Sequence, residues 1–383
     1  MTTSAKTRIY LDNNATTALD PRVFKAMLVD LSGPPANPSS VHWFGQQARN
    51  LLLQARRQTA SYFGSRPEEV FFTSGGTEGI NFLLRGLQKS SKPGHLVTTA
   101  IEHSAVYKTI QTLESQGFSV SSIPVGLWGA PLSTQIEEVL RPDTQAIVLS
   151  ASNGETGVKI ELDAIGRVAE KHSIPLILDT VAFAGKEPMD LPKSVSAASI
   201  SAHKFHGPKG IGAVFVRPHL KLNSLLTGGN QEYGKRAGTE NLAGILGLAE
   251  ALEILKENQT AITQQLTDLR HHLERGLLAQ IPDLAINGEG PRISNTSNIA
   301  FLGVDGETLL MHLDMAGIAV SHGSACSSGS LEPSRVLTQM GIDAKTARSS
   351  LRISIGRFNT REEIDRMIEI TSHIVKKLRN VTS

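Results

Sequence analysis

The sequence of 383 residues has little cysteine, no long apolar segment and almost no excess of charge of one sign. Its single cysteine, Cys326, excludes an internal disulfide and any metal site built from several cysteines. No apolar run approaches the length needed to cross a bilayer, and the first residues lack the apolar core of a signal peptide. The formal net charge of +2 is too small to indicate nucleic acid as the main partner. We therefore expect a cytoplasmic protein that contacts neither membranes nor nucleic acid directly, and we expect no metal site.

The one cysteine lies in a segment of small and polar residues, VSHGSACSSGSLEPSRV, over positions 320–336. A lone cysteine is usually a small core residue, but this segment offers almost nothing to bury it. Two interpretations follow from the residues: an incidental free thiol in a polar loop, or a reactive thiol in a mobile one.

Short runs rich in Val and Ile predict a set of buried strands, at 95–101, 146–152, 175–181, 197–202 and 211–216. Residues 161–173 have apolar positions at helical spacing and end before Pro175. This alternation is typical of an α/β fold in which helices cover both faces of a mainly parallel sheet. Ligands of such sheets bind at the carboxyl ends of the strands.

The pattern changes after about residue 255. A long amphipathic helix (253–281), a strand within 294–303, the cysteine segment and a terminal helix from about Thr360 follow. We therefore expect a large α/β domain over residues 1–255 and a smaller α+β domain over residues 256–383. The N-terminal segment 1–15 is expected to pack on the smaller domain.

Two glycines in TSGGTEG (73–79) separate the apolar run VFF from an amphipathic segment. This arrangement frees backbone N–H groups near Gly76 and adds the hydroxyl of Thr77, which together can hold a phosphate. A glycine turn with a threonine cap is the alternative.

Charged residues follow several of the predicted strands. Asp179 ends PLILD, where a carboxylate is costly unless it is paired, so it has either a site role or a capping role. Lys204 follows small and apolar residues, where a lysine can have a lowered pKa and act as nucleophile or base; a surface lysine is the alternative, which we accept for Lys209. His103 follows the strand at 95–101 and is either structural or catalytic. A phosphate anchor, an acid and a lysine are the protein parts that a pyridoxal phosphate site needs.

Longer motifs occur along nearly the whole chain: YLDNNATT (10–17), NPSSVHWFG (37–45), TSGGTEG, EHSAV (102–106), SAHKFHGPKGIG (201–212), GGNQEYGKRAGTEN (228–241), GSACSSGSLEPSRVL (323–337) and LRISIGRFNTREEID (351–365). In these motifs and their order the chain resembles the cysteine desulfurases of the NifS/IscS type, in the class-V aminotransferase family of fold-type-I pyridoxal phosphate enzymes. The resemblance implies a large domain with a mainly parallel seven-stranded sheet, a smaller α+β C-terminal domain and a homodimer. It also implies L-cysteine as substrate, pyridoxal 5′-phosphate as cofactor and a sulfur-acceptor protein, such as an iron–sulfur scaffold, as partner.

The resemblance implies a role for each site residue. Lys204 would bind the cofactor covalently, Asp179 would hold the proton on its ring nitrogen, and His103 would stack on the ring and shuttle protons. The phosphate would contact Gly76, Thr77, Ser201 and His203, while Thr239 would reach the phosphate in the partner subunit. Arg352 would bind the substrate carboxylate together with Asn153. Cys326 would take the sulfur as a persulfide, for iron–sulfur cluster, thio-cofactor or tRNA biosynthesis.

Two positions depart from the family pattern. Gly154 stands where the family has a second Asn in NNE-x-G, and Ala182 stands where it has a Gln in DA-x-Q. Each lost neutral hydrogen bond costs about 0.5–1.5 kcal/mol, so the departures predict a slower or altered desulfurase. Water or a neighbouring side chain such as Thr180 can fill the gap instead.

Two other functions are compatible with the same residues. The first is a related enzyme of the same cofactor, either a selenocysteine lyase-like enzyme or a transaminase, although a transaminase needs no thiol. The second is a catalytically weak dimeric scaffold that only binds sulfur-transfer partners. The retained Lys204 and Cys326 argue against this scaffold.

Overall fold

The computed structural model describes residues 8–87, 93–323 and 332–382. The strands are β1 (Ile9–Tyr10), β2 (Val70–Thr73), β3 (His95–Thr99), β4 (Ser119–Ile123), β5 (Thr144–Ser150), β6 (Leu176–Asp179), β7 (Val195–Ser201), β8 (Gly212–Val216), β9 (Leu284–Ile286), β10 (Thr296–Phe301), β11 (Ile318–Ala319) and β12 (Ser350–Ser354). The helices are α1 (Pro21–Leu31), α2 (Trp43–Tyr62), α3 (Gly76–Arg85), α4 (Ser104–Ser115), α5 (Ser133–Glu138), α6 (Leu162–Lys171), α7 (Leu242–Gln280), α8 (Gly306–Met315), α9 (Arg335–Gln339), α10 (Ala344–Arg348) and α11 (Arg361–Thr382).

Within the described residues, seven strands form one large sheet in the order β2-β8-β7-β6-β5-β3-β4. Strand β8 runs antiparallel to both neighbours, and the other neighbouring pairs are parallel. Only a short turn joins β7 to β8, too short for the crossover that a parallel neighbour needs. Every residue of β6 and β7 is buried, because helices cover both faces of the sheet. The predicted α/β fold with a mainly parallel seven-stranded sheet is confirmed.

The C-terminal third forms a second, antiparallel sheet in the order β12-β10-β9. Strand β1 pairs in parallel with β11, with Ile9 opposite Ile318, and Asp12 bridges to Ser354. The described part of the N-terminal segment therefore lies against C-terminal elements. The division into two domains stays a prediction, and its predicted boundary at residue 255 falls inside the continuous helix α7.

Helix α7 begins eleven residues earlier than its amphipathic pattern predicted, at Leu242. Its first part is apolar on nearly all sides, because α1 and α2 pack against it. A buried helix segment lacks the polar face that marks a helix in a sequence, so the pattern began only at its more exposed second part.

None of the helices that the structure describes is long and apolar enough to span a membrane. The described His, Cys, Asp and Glu side chains form no group of three or more that could hold a metal ion.

Candidate active site

A cavity of about 280 Å³ opens at the carboxyl ends of β5, β6 and β7, beside the start of α3. Parallel strands bring the residues that follow them to one edge of a sheet, so residues far apart in the sequence meet here. The predicted site residues that line this cavity are Gly76, Thr77, His103, Asn153, Asp179, Ser201, His203, Lys204 and Arg352.

Two predicted residues are not placed in the cavity wall. Thr239 is exposed and lies just before α7, outside the lining of the cavity. Cys326 lies outside the described residues. Their proposed roles stay predictions.

Lys204 ends the short 3₁₀ turn Ala202–Lys204, which follows β7 directly. Its Nζ atom donates hydrogen bonds to the carbonyl oxygens of Asn14, at 2.5 Å, and Ala15, at 3.0 Å. The N-terminal motif YLDNNATT thus forms one side of the site and orients the lysine amine.

Asp179 and His103 face the same cavity from neighbouring strand ends. Asp179 is only 5% exposed, and its Oδ1 atom accepts a hydrogen bond from the N–H of Val181 at 2.9 Å. Burial raises the pKa of Asp179, and the charges of His103 and Lys204 oppose that rise. His103 caps α4: its Nδ1 atom accepts from the N–H of Ala105 at 3.1 Å, which assigns the proton of the neutral ring to Nε2.

Gly76 opens α3 at the place predicted to hold a phosphate. A Cβ atom there would lie 2.6 Å from Cγ2 of Val181 and 3.7 Å from Cβ of Ser201, so only glycine leaves this space free. His203 lies nearby, with Nδ1 3.1 Å from Oγ1 of Thr16. Burial and then the positive charge of Lys204 lower the pKa of His203 to about 4, so the ring is neutral at pH 7 and can donate to an anion.

Arg352 reaches the cavity from β12 and forms a buried ion pair that the sequence did not predict. Its Nη2 atom lies 2.5 Å from Oδ1 of Asp12, and its Nη1 atom donates to the carbonyl of Gly154 at 3.3 Å. Its Nε atom is buried and has no hydrogen-bond partner among the described residues. An arginine held this way keeps a donor for an anionic ligand.

Asn153 lines the cavity, but its amide group is engaged with the backbone. The Nδ2 atom donates to the carbonyl of Ile101 at 3.0 Å, and Oδ1 accepts from the N–H groups of Glu155 and Thr156 at 2.9 and 3.0 Å. These bonds hold the turn that carries Gly154. The predicted contact of Asn153 with substrate stays a prediction.

The two departures from the family pattern lie side by side in the wall of the cavity, where their short side chains leave a gap. A Cβ atom built on Gly154 would lie 3.8 Å from Cβ of Ala182 and within 4 Å of no other described atom outside its chain neighbours. Thr180 does not fill this gap, because it is fully buried and its hydroxyl donates to the carbonyl of Ser199 at 2.8 Å. Ser152 borders the same cavity, and its buried Oγ atom has no hydrogen-bond partner among the described residues.

Several polar residues at the cavity were not predicted. Its wall includes Asn14, Glu102, Lys186 and Arg335. Asp12 lies behind the wall and accepts a hydrogen bond from Arg352. Glu102 is fully buried, and burial raises its pKa to about 7 even though Ser150 and Thr99 donate to it. Arg335 donates to the carbonyl of Glu102 at 2.6 Å and stacks over Tyr107. The position of Glu102 directly before His103 was the one signal that could have identified it.

Comparisons with known proteins give one consistent result. A model of the class-V aminotransferase family matches residues 9–367. A cysteine desulfurase of Nostoc sp. strain PCC 7120 is 42% identical over 375 residues, which cover 97% of this chain and 94% of that protein. Among solved structures, a NifS-like protein is 35% identical with a TM-score of 0.89, covering 97% of this chain and 100% of that one. The structure of SspA in complex with cysteine is 32% identical with a TM-score of 0.80, covering 92% and 100%.

Proposed function

Since the chain belongs to the class-V aminotransferase family and, within it, to the cysteine desulfurases, we propose that it converts L-cysteine to L-alanine with pyridoxal 5′-phosphate and takes the sulfur on Cys326. One observation carries this proposal: a single cavity joins Lys204, the buried Asp179, the glycine start of α3 and Arg352. The likeness to a solved relative that holds cysteine supports the choice of substrate.

The residues of the cavity fit this cofactor. The space above Gly76 would be lost to any Cβ atom, and the neutral His203 lies beside it, which suits a phosphate group. Asp179 offers a buried carboxylate for a ring nitrogen, and Lys204 offers an amine. Nε of Arg352 and Oγ of Ser152, which find no partner in the described part of the chain, are donors that a bound ligand would satisfy.

Each residue then has a defined task. When bound, the cofactor supplies an electron sink for the pair that loss of the substrate Cα proton releases. Lys204 removes that proton, a step that requires its amine to be neutral. Arg352 binds the substrate carboxylate, and His103 presents Nε2–H as a proton donor for the carbon that the sulfur leaves.

Sulfur transfer needs no external oxidant or reductant. The Cys326 thiolate attacks the sulfur of the substrate, an S–S bond forms and the C–S bond breaks. The bonding pair stays with carbon, which takes protons to become L-alanine, and Cys326 keeps a persulfide. We propose that the persulfide passes to an acceptor protein, such as an iron–sulfur scaffold, in the cytoplasm, and that Thr239 contributes to the site of the partner subunit in a homodimer.

Purified protein loaded with pyridoxal 5′-phosphate and given L-cysteine tests this function. We expect equal amounts of alanine and transferred sulfur, no turnover in Lys204→Ala, and no persulfide detectable by mass spectrometry in Cys326→Ser. Turnover to a keto acid without sulfur release would instead show a transaminase.

The gap that Gly154 and Ala182 leave in the cavity wall supports the related function of a desulfurase with altered substrate preference, because extra space relaxes the fit of the substrate. A ratio of kcat/KM for L-selenocysteine over L-cysteine above that of the Nostoc sp. relative would support it.

A further inference from the structure

The wall of the cavity contains a second lysine, which is buried and to which the proposed reaction gives no task. Lys186 is 4% exposed and lines the same cavity as Lys204. It follows Gly185, which has a φ of +78° and where a Cβ atom would lie 2.6 Å from Cβ of Phe205. The turn that carries Lys186 therefore packs directly against the residue after Lys204.

The amine of Lys186 is bonded to the backbone of Lys204. Its Nζ atom donates to the carbonyl oxygen of Lys204, and to that of Ala184 at 3.3 Å. The carbonyl of Lys204 ends a one-turn 3₁₀ helix, where a carbonyl lacks a partner within the helix and a lysine can supply one. Lys204 is therefore held at both ends, by Lys186 at its carbonyl and by the carbonyls of Asn14 and Ala15 at its amine.

Lys186 is itself held by C-terminal elements. Its carbonyl accepts from Oγ1 of Thr263 at 2.9 Å, on α7, and from Oγ of Ser294 at 2.7 Å, before β10. The neighbouring Glu187 accepts from the N–H of Ser294 at 2.9 Å and pairs with Lys159. These contacts fix the backbone from which the Lys186 side chain reaches the carbonyl of Lys204.

No carboxylate of the described residues forms an ion pair with Lys186. Burial, and then the charge of Lys204, lower the pKa of Lys186 to about 7. The other titratable groups coupled to this pair of lysines are His203, His206 and Asp179. Two amines that share a buried site oppose each other's protonation, and a lysine that acts as nucleophile or base must lose its proton.

We propose that Lys186 is a positioning residue for Lys204: it fixes the turn that carries the reactive amine, and the two amines share one site in which they do not both hold a proton. The inference rests on the proposed function for the reactive role of Lys204, while the contacts of Lys186 involve no ligand. The sequence motif around Lys186 gave no sign of it.

The test measures the Lys204 amine in the protein without cofactor, so it does not depend on turnover. Trace labelling with acetic anhydride over a range of pH, read by mass spectrometry of the Lys204 peptide, gives the midpoint at which this amine becomes reactive. We expect Lys186→Met to raise this midpoint by roughly one pH unit. The matched control is Lys209→Met. It removes an exposed lysine from the glycine-rich turn that follows Lys204, and it should leave the midpoint of Lys204 unchanged.

A second variant protects the test against misfolding. Lys186→Gln keeps an amide donor for the carbonyl of Lys204 but has no amine that can be protonated. We therefore expect the same upward shift of the Lys204 midpoint as in Lys186→Met. Because the donor is kept, kcat for L-cysteine should fall less in Lys186→Gln than in Lys186→Met. Lys186→Arg, which keeps the donor and is charged at every pH, should give a midpoint no higher than that of wild type. A midpoint that is equal in wild type, Lys186→Gln and Lys186→Met would overturn the proposal. A shifted midpoint in a protein that does not turn over L-cysteine would uphold it and reject the proposed function instead.

Discussion

Arg352, in the wall of the cavity, forms an ion pair with the partly buried Asp12 behind it, with Nη2 of the arginine 2.5 Å from Oδ1 of the aspartate. Asp12 orients the guanidinium and also offsets part of its charge. Both effects bear on how tightly Arg352 binds a carboxylate ligand.

Two substitutions of Asp12 separate these effects. Asp12→Asn keeps an acceptor for Arg352 but removes the negative charge, so we expect KM for L-cysteine to fall about 3-fold. Asp12→Ala removes the acceptor too, so we expect KM to rise about 3- to 10-fold. Steady-state kinetics check both, with kcat changing less than KM. Equal effects of the two substitutions would contradict an orienting role.

Gly154 and Ala182 leave a gap in which an additional donor fits, because a Cβ atom on Gly154 meets only Cβ of Ala182. We expect Gly154→Asn with Ala182→Gln to raise kcat/KM for L-cysteine by up to about tenfold, since each restored hydrogen bond contributes about 0.5–1.5 kcal/mol. Each single variant serves as a control for the pair. Lower activity at an unchanged melting temperature would show that the open gap serves this enzyme's own substrate.

Ser152 and Ser199 are matched serines, since both are buried with hydroxyls that lack partners among the described residues. Only Ser152 lines the cavity. We therefore expect Ser152→Ala to weaken pyridoxal phosphate binding about 2- to 10-fold, and Ser199→Ala to leave it unchanged. Fluorescence titration of the cofactor-free protein measures this, and neither variant should lower the melting temperature. Equal affinities would show that the Ser152 hydroxyl does not contact the ligand.

Glu102 is expected to make stability depend on pH. Burial raises its pKa from 4.5 to about 7, so the folded state holds its proton over an interval in which the unfolded state has lost it. The stability that this proton contributes is complete below pH 4.5 and is lost as the pH rises through 7, a decline of roughly 3 kcal/mol at about 1.4 kcal/mol per unit.

Denaturant unfolding at several pH values between 4.5 and 8 checks this dependence. The free energy of unfolding of wild type, taken relative to Glu102→Gln, should fall as the pH rises. A constant difference between the two proteins would show that Glu102 is ionised throughout the interval.

The α/β class of the fold and several candidate site residues could be predicted from local sequence features, while the seven-stranded sheet and the other site residues came from the family resemblance. Apolar runs marked the strands, and the polar residue at the end of a strand, as in Asp179 and Lys204, marked the edge at which ligands bind. Only the second part of helix α7 was predicted. The first part packs against α1 and α2 and is apolar on nearly all sides, so it lacks the alternation of polar and apolar faces that marks a helix in a sequence.

Lys186, which prediction missed, has no local signature. Lys186 lies in an ordinary lysine-containing segment, and only burial against the turn of Lys204 gives it a special environment. Thr180 shows the converse: its sequence position suggested that it could fill the gap beside Ala182, but its hydroxyl bonds to the neighbouring strand.

The amino-acid sequence by itself determined the alternation of strands and helices, the mainly parallel sheet and part of the chemical groups of the site, because periodicity and residue type are local properties. Tertiary structure decided which of these groups touch. Asp12 and Arg352 are 340 residues apart in the chain, and they meet because β1 and the segment after it pair with C-terminal strands. Charge, burial and hydrogen bonding at the site arise from such long-range pairings, which no local pattern contains.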